Sequence, residues 1–160
     1  MRRYCTLLAG VILLIVWADL KGTSIPAVSE KRIVEAVSEG NEADILPVLR
    51  VMTYNIHRGI NKNNTLDLDG ITEVIRDSGA DIVALQEVER FSIRTGFKDQ
   101  IAYIADKLSM DYAFGKSMNI LNGQYGNGIL SKYPIEEYEV KELPSEGEQR
   151  TLFRAGINVW

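Results

Sequence analysis

The stretch "VMTYNIHRG" (51–59) is apolar through Tyr54 and turns polar at Asn55. Together with residues 48–50 it predicts a central strand over 48–54, because β-branched and aromatic residues favour strands. In open α/β sheets, the chemistry gathers at the carboxyl ends of strands. Asn55 is therefore a candidate functional residue.

The residues that follow predict a second strand beside the first. Residues 69–77 have the apolar spacing of a helix, and Gly79 is a typical helix C-cap. Residues 81–87 then form an apolar run that ends in Gln86 and Glu87. A near-continuous apolar strand indicates a sheet covered by other elements, so the sequence predicts an α/β fold. Parallel neighbouring strands would place Asn55 and Glu87 at the same edge.

The rest of the chain continues the mixture of helix and strand. We predict a helix over 100–108, a short strand over 112–114, a glycine-rich loop over 123–128, and strands over 135–140 and 151–160.

Length and charge limit the function. A chain of 160 residues suits one domain with a substantial core. The net charge of -4 offers no footprint for a nucleic-acid backbone, which weakens a nuclease interpretation. Cys5 is the only cysteine, which excludes an intrachain disulfide and a cysteine metal cluster.

The first twenty residues resemble a targeting segment. Arg2 and Arg3 precede an apolar run over 7–17, which predicts a signal peptide. If it is retained, residues 4–20 approach the length that spans a membrane. We therefore expect a targeting segment or membrane anchor over 1–20, a linker with a short helix over 21–46, and a domain over 47–160. The expected location is membrane-anchored or secreted.

Glu87 and Asn55 are the sharpest chemical candidates. A carboxylate directly after a buried run is costly to desolvate unless it faces a cation, and Mg²⁺ is commonly bound by one or two carboxylates plus water and phosphate. The alternative is a glutamate that ends its strand in solvent. The Asn55 amide can contact both a metal-bound water and a phosphate oxygen, and its alternative is a turn residue.

Three other residues carry weaker signals. His57 is the only histidine, so no second histidine completes a zinc site. Asn127 lies in a glycine loop that enters a strand, which excludes the helix-terminal phosphate loops but lets its amide face the same edge. Arg150 begins the last strand as either a phosphate ligand or an ion-pair partner.

Four motifs in order resemble the endonuclease/exonuclease/phosphatase superfamily: "VMTYNIHRGI" (51–60), "GADIVALQEVER" (79–90), "YGNGILSKYPI" (125–135) and "EQRTLFRAGINV" (148–159). The resemblance implies a two-sheet α/β sandwich of the DNase I type and metal-dependent hydrolysis of phosphodiester or phosphomonoester bonds. It implies Mg²⁺ or Mn²⁺ on Glu87 and Asn55, with Asn55 and Asn127 as catalytic residues.

The chain departs from the family in its later motifs. It contains no Asp-x-Asn strand and no terminal Ser-Asp-His, so residues 47–160 are expected to be the amino-terminal part of the domain, with the missing half as a partner. The substrate stays open between a lipid headgroup, a small phosphoester and nucleic acid. Two alternatives remain: a non-catalytic membrane-anchored remnant or binding module, and an α/β domain without phosphate chemistry.

Overall fold

The computed structural model describes residues 4–8, 15–16 and 48–159. The predicted linker over 21–46 lies outside the described residues. Within the predicted targeting segment only two short strands are described, and its role stays a prediction. Among the described residues, no helix has both the length and the apolar character needed to cross a membrane.

The described elements alternate between strands and helices along the chain. The strands are β1 (Tyr4–Leu8), β2 (Ile15–Val16), β3 (Val51–Asn55), β4 (Ile82–Arg90), β5 (Asp111–Ile120), β6 (Gly123–Ser131), β7 (Ile135–Leu143) and β8 (Arg150–Ile157). The helices are α1 (Leu68–Ser78) and α2 (Gln100–Leu108), and single 3-10 turns lie at His57–Gly59 and Ile93–Thr95.

The strands form two four-stranded sheets, in the orders β3-β4-β6-β5 and β2-β1-β8-β7. In the first sheet β3 and β4 are parallel, as predicted, and β6 runs antiparallel to β4. One core cluster joins this sheet to α1 and α2, and the other joins it to the second sheet. The predicted two-sheet α/β sandwich is therefore confirmed.

β4 lies at the centre of the sandwich and contributes to both cores. Val83 and Leu85 belong to the core under the helices, whereas Ile82 and Ala84 belong to the core between the sheets. The exposed fraction of each is 2% or less. Burial of one such valine or leucine contributes roughly 1.5–3 kcal/mol. A strand buried on both faces explains why its sequence is a continuous apolar run.

The predicted glycine-rich loop over 123–128 is wrong, because these residues form the first two thirds of β6. The glycines serve close packing instead of a turn. A Cβ at Gly126 would lie 2.1 Å from the carbonyl oxygen of Gly115, and one at Gly128 would lie 2.3 Å from Ile101 Cδ1. Only glycine permits β6 to approach the backbone of β5 this closely, whereas the contact of Gly128 is with the end of a side chain.

Asp81 joins the start of β4 to two other segments. Its Oδ2 accepts from the backbone N–H of Arg50 (2.8 Å), and its Oδ1 accepts from Lys132 Nζ (3.0 Å). The Arg50 N–H first, and then Lys132, hold the pKa of Asp81 below its ordinary value. Both partners favour the ionised carboxylate, so its charge contributes to stability.

Asp81→Asn is expected to lower the free energy of unfolding at pH 7 by about 1–2 kcal/mol. Because the folded pKa is lower than the unfolded one, the contribution is complete above about pH 5 and is lost as the pH falls through the folded value. Urea unfolding at pH 3 to 8 measures this difference, with the exposed Glu73→Gln as the control. A difference between wild type and Asp81→Asn that stays constant from pH 3 to 8 would contradict it.

Candidate active site

A β-bulge places Glu87 at the site. The register between β4 and β6 shifts between Leu85 and Val88, so Gln86 and Glu87 together oppose the single residue Asn127 and β4 has one extra residue. Val83, Leu85 and Val88 all belong to the core under the helices. The spacing between core residues along β4 is therefore two residues before the bulge and three residues across it. Glu87 has a left-handed backbone (φ 57°), which costs a non-glycine residue roughly 1–2 kcal/mol. Such bulges re-aim a side chain, here into the cavity at the end of the strands.

Asn55 orients the Glu87 carboxylate. Its Nδ2 donates to Glu87 Oε1 at 2.7 Å, and its Oδ1 accepts from the backbone N–H of His57 at 2.9 Å. Because a backbone N–H can only donate, it determines which side of the Asn55 amide faces Glu87. The predicted proximity of Asn55 and Glu87 is confirmed, whereas their predicted roles towards metal and phosphate stay predictions.

A cavity of about 440 Å³ opens beside this pair. It brings together four residues that the sequence singled out: Asn55, Glu87, Asn127 and Arg150. It also contains residues that sequence reasoning missed, among them Ser117, Tyr125, Glu146 and Glu148. Tyr125 lies two residues before Asn127 in the same motif, which was the only signal for it. Glu146 and Glu148 lie in the connection between β7 and β8. No local sequence pattern indicated that this connection contributes to the site.

Tyr125 is the cavity's phenolic donor. Burial first, and then the negative charges of Glu87 and Glu148, raise its pKa to about 12, while Arg58 and Arg94 act in the opposite direction. The hydroxyl therefore keeps its proton throughout the neutral range. It is suited to donate a hydrogen bond to an anionic ligand.

His57 lies beside the cavity and is not among its lining residues. Its Nε2 is 3.0 Å from Arg58 Nη2, which can only donate, so Nε2 is the acceptor. Nδ1 then carries the proton and faces the carbonyl oxygen of Ile60 at 3.3 Å. This hydrogen bond holds the Arg58 guanidinium beside the His57 ring.

Gln100, the first residue of α2, connects two segments that flank the site. Its side chain is fully buried; its Oε1 accepts from the Glu89 N–H (2.8 Å) and its Nε2 donates to the Arg58 carbonyl oxygen (2.6 Å). One amide thus holds the turn after β3 against the strand β4. The residues that follow Asn55 and Glu87 along the chain are thereby fixed to the same helix.

The donor set fits a hard divalent cation. The cavity offers carboxylate, amide and hydroxyl oxygens, which are the ligands that Mg²⁺ and Mn²⁺ prefer. Among residues 48–159, no three acidic, histidine or cysteine side chains converge to hold a metal by themselves. A cation here would depend on Glu87 and take its remaining ligands from water and substrate, as Mg²⁺ commonly does.

The chain belongs to the Endonuclease/Exonuclease/phosphatase family, whose sequence model matches residues 52–158. This family comprises hydrolases of phosphoester bonds. The match overlaps all four motifs and includes the whole candidate site.

Relatives agree with this assignment without naming an activity. The uncharacterized protein YbhP of Escherichia coli K12 is 34% identical over 109 residues, which cover 63% of this chain and 43% of YbhP. YbhP of Shigella flexneri matches to the same extent. The chain thus spans less than half the length of these relatives.

Two solved structures share the fold. An endonuclease/exonuclease/phosphatase from Beutenbergia cavernae DSM 12333 superimposes with a TM-score of 0.57 and 26% identity, covering 69% of this chain and 34% of that one. A family protein from Leptotrichia buccalis C-1013-b has a TM-score of 0.53 at 15% identity, covering 69% and 49%. The second likeness concerns the fold alone.

Proposed function

We propose that this protein is part of a metal-dependent hydrolase of phosphodiester or phosphomonoester bonds, with Mg²⁺ or Mn²⁺ bound at Glu87. The observation that supports it best is the bulged, left-handed Glu87 held by Asn55 at the mouth of an oxygen-rich cavity. Strained backbone of this kind persists where the surrounding structure demands it, and it is concentrated at functional sites.

Four of the cavity residues have a role in this proposal. Glu87 holds the cation, and Asn55 fixes the carboxylate through its Nδ2 while its own oxygen is held by the His57 N–H. When bound, the cation supplies Lewis-acid polarisation of the phosphoryl oxygens. The protonated Tyr125 hydroxyl and the Asn127 amide donate to phosphate oxygens from the β6 wall.

The charge of the cavity makes the cation necessary for a phosphate ligand. Glu146 and Glu148 join Glu87 around the cavity, and Arg150 is the only cation among its lining residues. A phosphate dianion without a metal would face three carboxylates and one guanidinium. We therefore expect phosphate binding to require the divalent cation.

The proposal is tested by Mn²⁺ binding to the full chain, followed through the loss of the free Mn²⁺ signal in electron paramagnetic resonance. Glu87→Gln is expected to weaken binding at least tenfold, since removal even of a group that supports a ligand costs about 10–100-fold. Glu139→Gln, on the exposed face of β7, is the matched control and should bind as the wild type does.

Hydrolysis is measured in the same samples with bis(p-nitrophenyl) phosphate and p-nitrophenyl phosphate. Metal-dependent turnover that disappears in Glu87→Gln supports the hydrolase. Mn²⁺ binding that is unchanged in Glu87→Gln but lost in the double variant Glu146→Gln/Glu148→Gln would reject Glu87 as the ligand. Glu87-dependent binding without turnover of either substrate would favour the non-catalytic binding module.

A further inference from the structure

Four large apolar side chains are exposed on two neighbouring turns next to the site. Phe91, Ile93 and Phe97 lie on the turn after β4, and Leu121 lies at the tip of the β5–β6 hairpin. Their exposed fractions are 46%, 55%, 58% and 52%. We call these four residues the apolar rim.

The two turns form one continuous surface. The backbone N–H of Ile93 donates to the carbonyl oxygen of Leu121 at 3.2 Å, which joins the turns directly. The Phe97 N–H donates to the carbonyl oxygen of Ser92 at 2.8 Å and closes the first turn on itself. Phe91 and Leu121 line the same shallow depression. The exposed side chains are therefore held together by the backbone.

Folding alone does not account for these residue types. Phe91, Phe97 and Leu121 have positive φ angles of 58°, 58° and 42°. Glycine or asparagine would relieve this conformation, and a bulky residue there is an outlier. Since about half of each side chain also stays in solvent, stability would favour smaller polar residues at these positions.

The two stretches that carry the rim are basic in an otherwise acidic chain. No aspartate or glutamate occurs in 90–98 or in 112–135, although the chain has a net charge of -4. These stretches contain Arg90, Arg94, Lys98, Lys116 and Lys132. Three of these cations are balanced by carboxylates, since Arg94 pairs with Glu89, Arg90 with Asp99 and Lys132 with Asp81. Lys98 and Lys116 have no carboxylate partner among the described residues, and Lys98 lies beside the rim, because its carbonyl oxygen accepts from the N–H of Phe91 at 2.9 Å.

We propose that the apolar rim inserts into the headgroup region of a membrane that contains anionic lipids. The exposed apolar side chains can bury apolar area in such a membrane, and Lys98 and Lys116 can attract its anionic headgroups. The four side chains project from turns along one surface, a form that suits a deformable lipid interface. A protein partner or a second copy of the chain is an outcome that the test distinguishes.

The rim lies near the candidate site. Leu121 precedes Tyr125 by four residues, which corresponds to roughly 13 Å along an extended chain. Arg94, between two rim residues in sequence, is close enough to Tyr125 to affect its pKa. Membrane binding would bring the cavity to phosphoesters at the bilayer surface. This consequence rests on the proposed function, whereas insertion of the rim does not.

The test places a fluorescent reporter in the rim of the full chain. Phe97→Trp and, as the matched control, Val74→Trp (47% exposed on α1) are mixed with phosphatidylcholine vesicles with and without phosphatidylglycerol, containing brominated lipid and no divalent cation. The signal of Trp17 and Trp160 is subtracted with the wild type. Quenching and a blue shift are expected at 97 and not at 74, and only with the anionic vesicles.

A second measurement separates the rim from the apolar segment over 4–20, which could itself bind vesicles. Ile93→Ser/Phe97→Ser is expected to weaken flotation with anionic vesicles by about tenfold or more, whereas Val74→Ser should not weaken it. Circular dichroism checks that the variants fold.

Three outcomes would overturn membrane insertion. One is a Trp at 97 that is not quenched while the chain floats with vesicles, and another is flotation that Ile93→Ser/Phe97→Ser leaves unchanged. The third is a dimer in sedimentation that these substitutions dissolve, with no vesicle binding. Glu87→Gln should bind vesicles as the wild type does, so failure of the hydrolase proposal is seen separately.

Discussion

Arg94→Ala is expected to lower the free energy of unfolding by about 3–5 kcal/mol, the cost of leaving a buried charge without its partner. Glu89 has an exposed fraction of 0%, and its Oε1 accepts from Arg94 Nε at 2.6 Å and also from Arg94 Nη2. Its Oε2 is buried without a hydrogen-bond partner among the described residues. Removal of Arg94 would thus leave both carboxylate oxygens without donors in the interior.

The two partners of this pair should behave differently when each is removed. Glu89→Gln leaves a neutral amide in the interior and an arginine whose side chain is 33% exposed and can be hydrated, so we expect a loss of about 1–2 kcal/mol. The double variant Glu89→Gln/Arg94→Ala should then cost less than the sum of the single losses. This asymmetry is the signature of a buried carboxylate that depends on its cation.

Urea unfolding followed by far-ultraviolet circular dichroism measures the cycle. Arg154→Gln is the control, because the ion pair of Arg154 with Glu139 (2.7 Å) is exposed and such pairs contribute about 0–1 kcal/mol. Equal losses for Arg94→Ala and Arg154→Gln would show that the Glu89–Arg94 pair is not a buried structural element.

Gly126→Ala is expected to cost about 3 kcal/mol or more, at the upper end of the range for overpacking. The added Cβ would lie 2.1 Å from the carbonyl oxygen of Gly115 and 3.0 Å from its carbonyl carbon. Both are backbone atoms of the paired strand β5, so relief requires the strands to separate. Because Tyr125 and Asn127 flank this position, the cavity should also change shape.

Gly96→Ala is the matched control for this prediction. Gly96 has a left-handed backbone (φ 67°), and no atom lies within 4 Å of the position that an added Cβ would occupy. The substitution therefore costs only conformational strain of roughly 1–2 kcal/mol. Thermal and urea unfolding of both variants compare the stability lost through a clash between strands with the stability lost through backbone strain. A smaller loss for Gly126→Ala than for Gly96→Ala would refute the close-packing role of β6.

Elements with a strong local pattern could be predicted from the sequence. The helix over 100–108 was predicted with the bounds that the structure has, because its apolar residues follow the helical period. The strand over 81–87 was predicted from its continuous apolar run, and the structure has it as Ile82–Arg90, buried on both faces. The parallel pairing of β3 and β4 then brought Asn55 and Glu87 together.

Elements whose residues are determined by contacts with distant parts of the chain could not be predicted in the same way. The glycines of β6 resemble a loop in sequence, since local composition does not reveal the backbone carbonyl of Gly115 that excludes a Cβ at Gly126. In sequence, the buried Glu89 likewise resembles a surface residue, because only the folded turn brings Arg94 into contact with it.

For the candidate site, the sequence by itself determined the strand that delivers Asn55, the apolar run before Glu87 and the family to which both belong. The tertiary structure decided which way these side chains point. The bulge that turns Glu87 into the cavity depends on its pairing with β6, and the role of Asn55 as the holder of that carboxylate depends on the His57 N–H. The physical reason is that the period of apolar residues is a property of the local sequence. The register of paired strands and their close approach depend instead on residues distant in the chain.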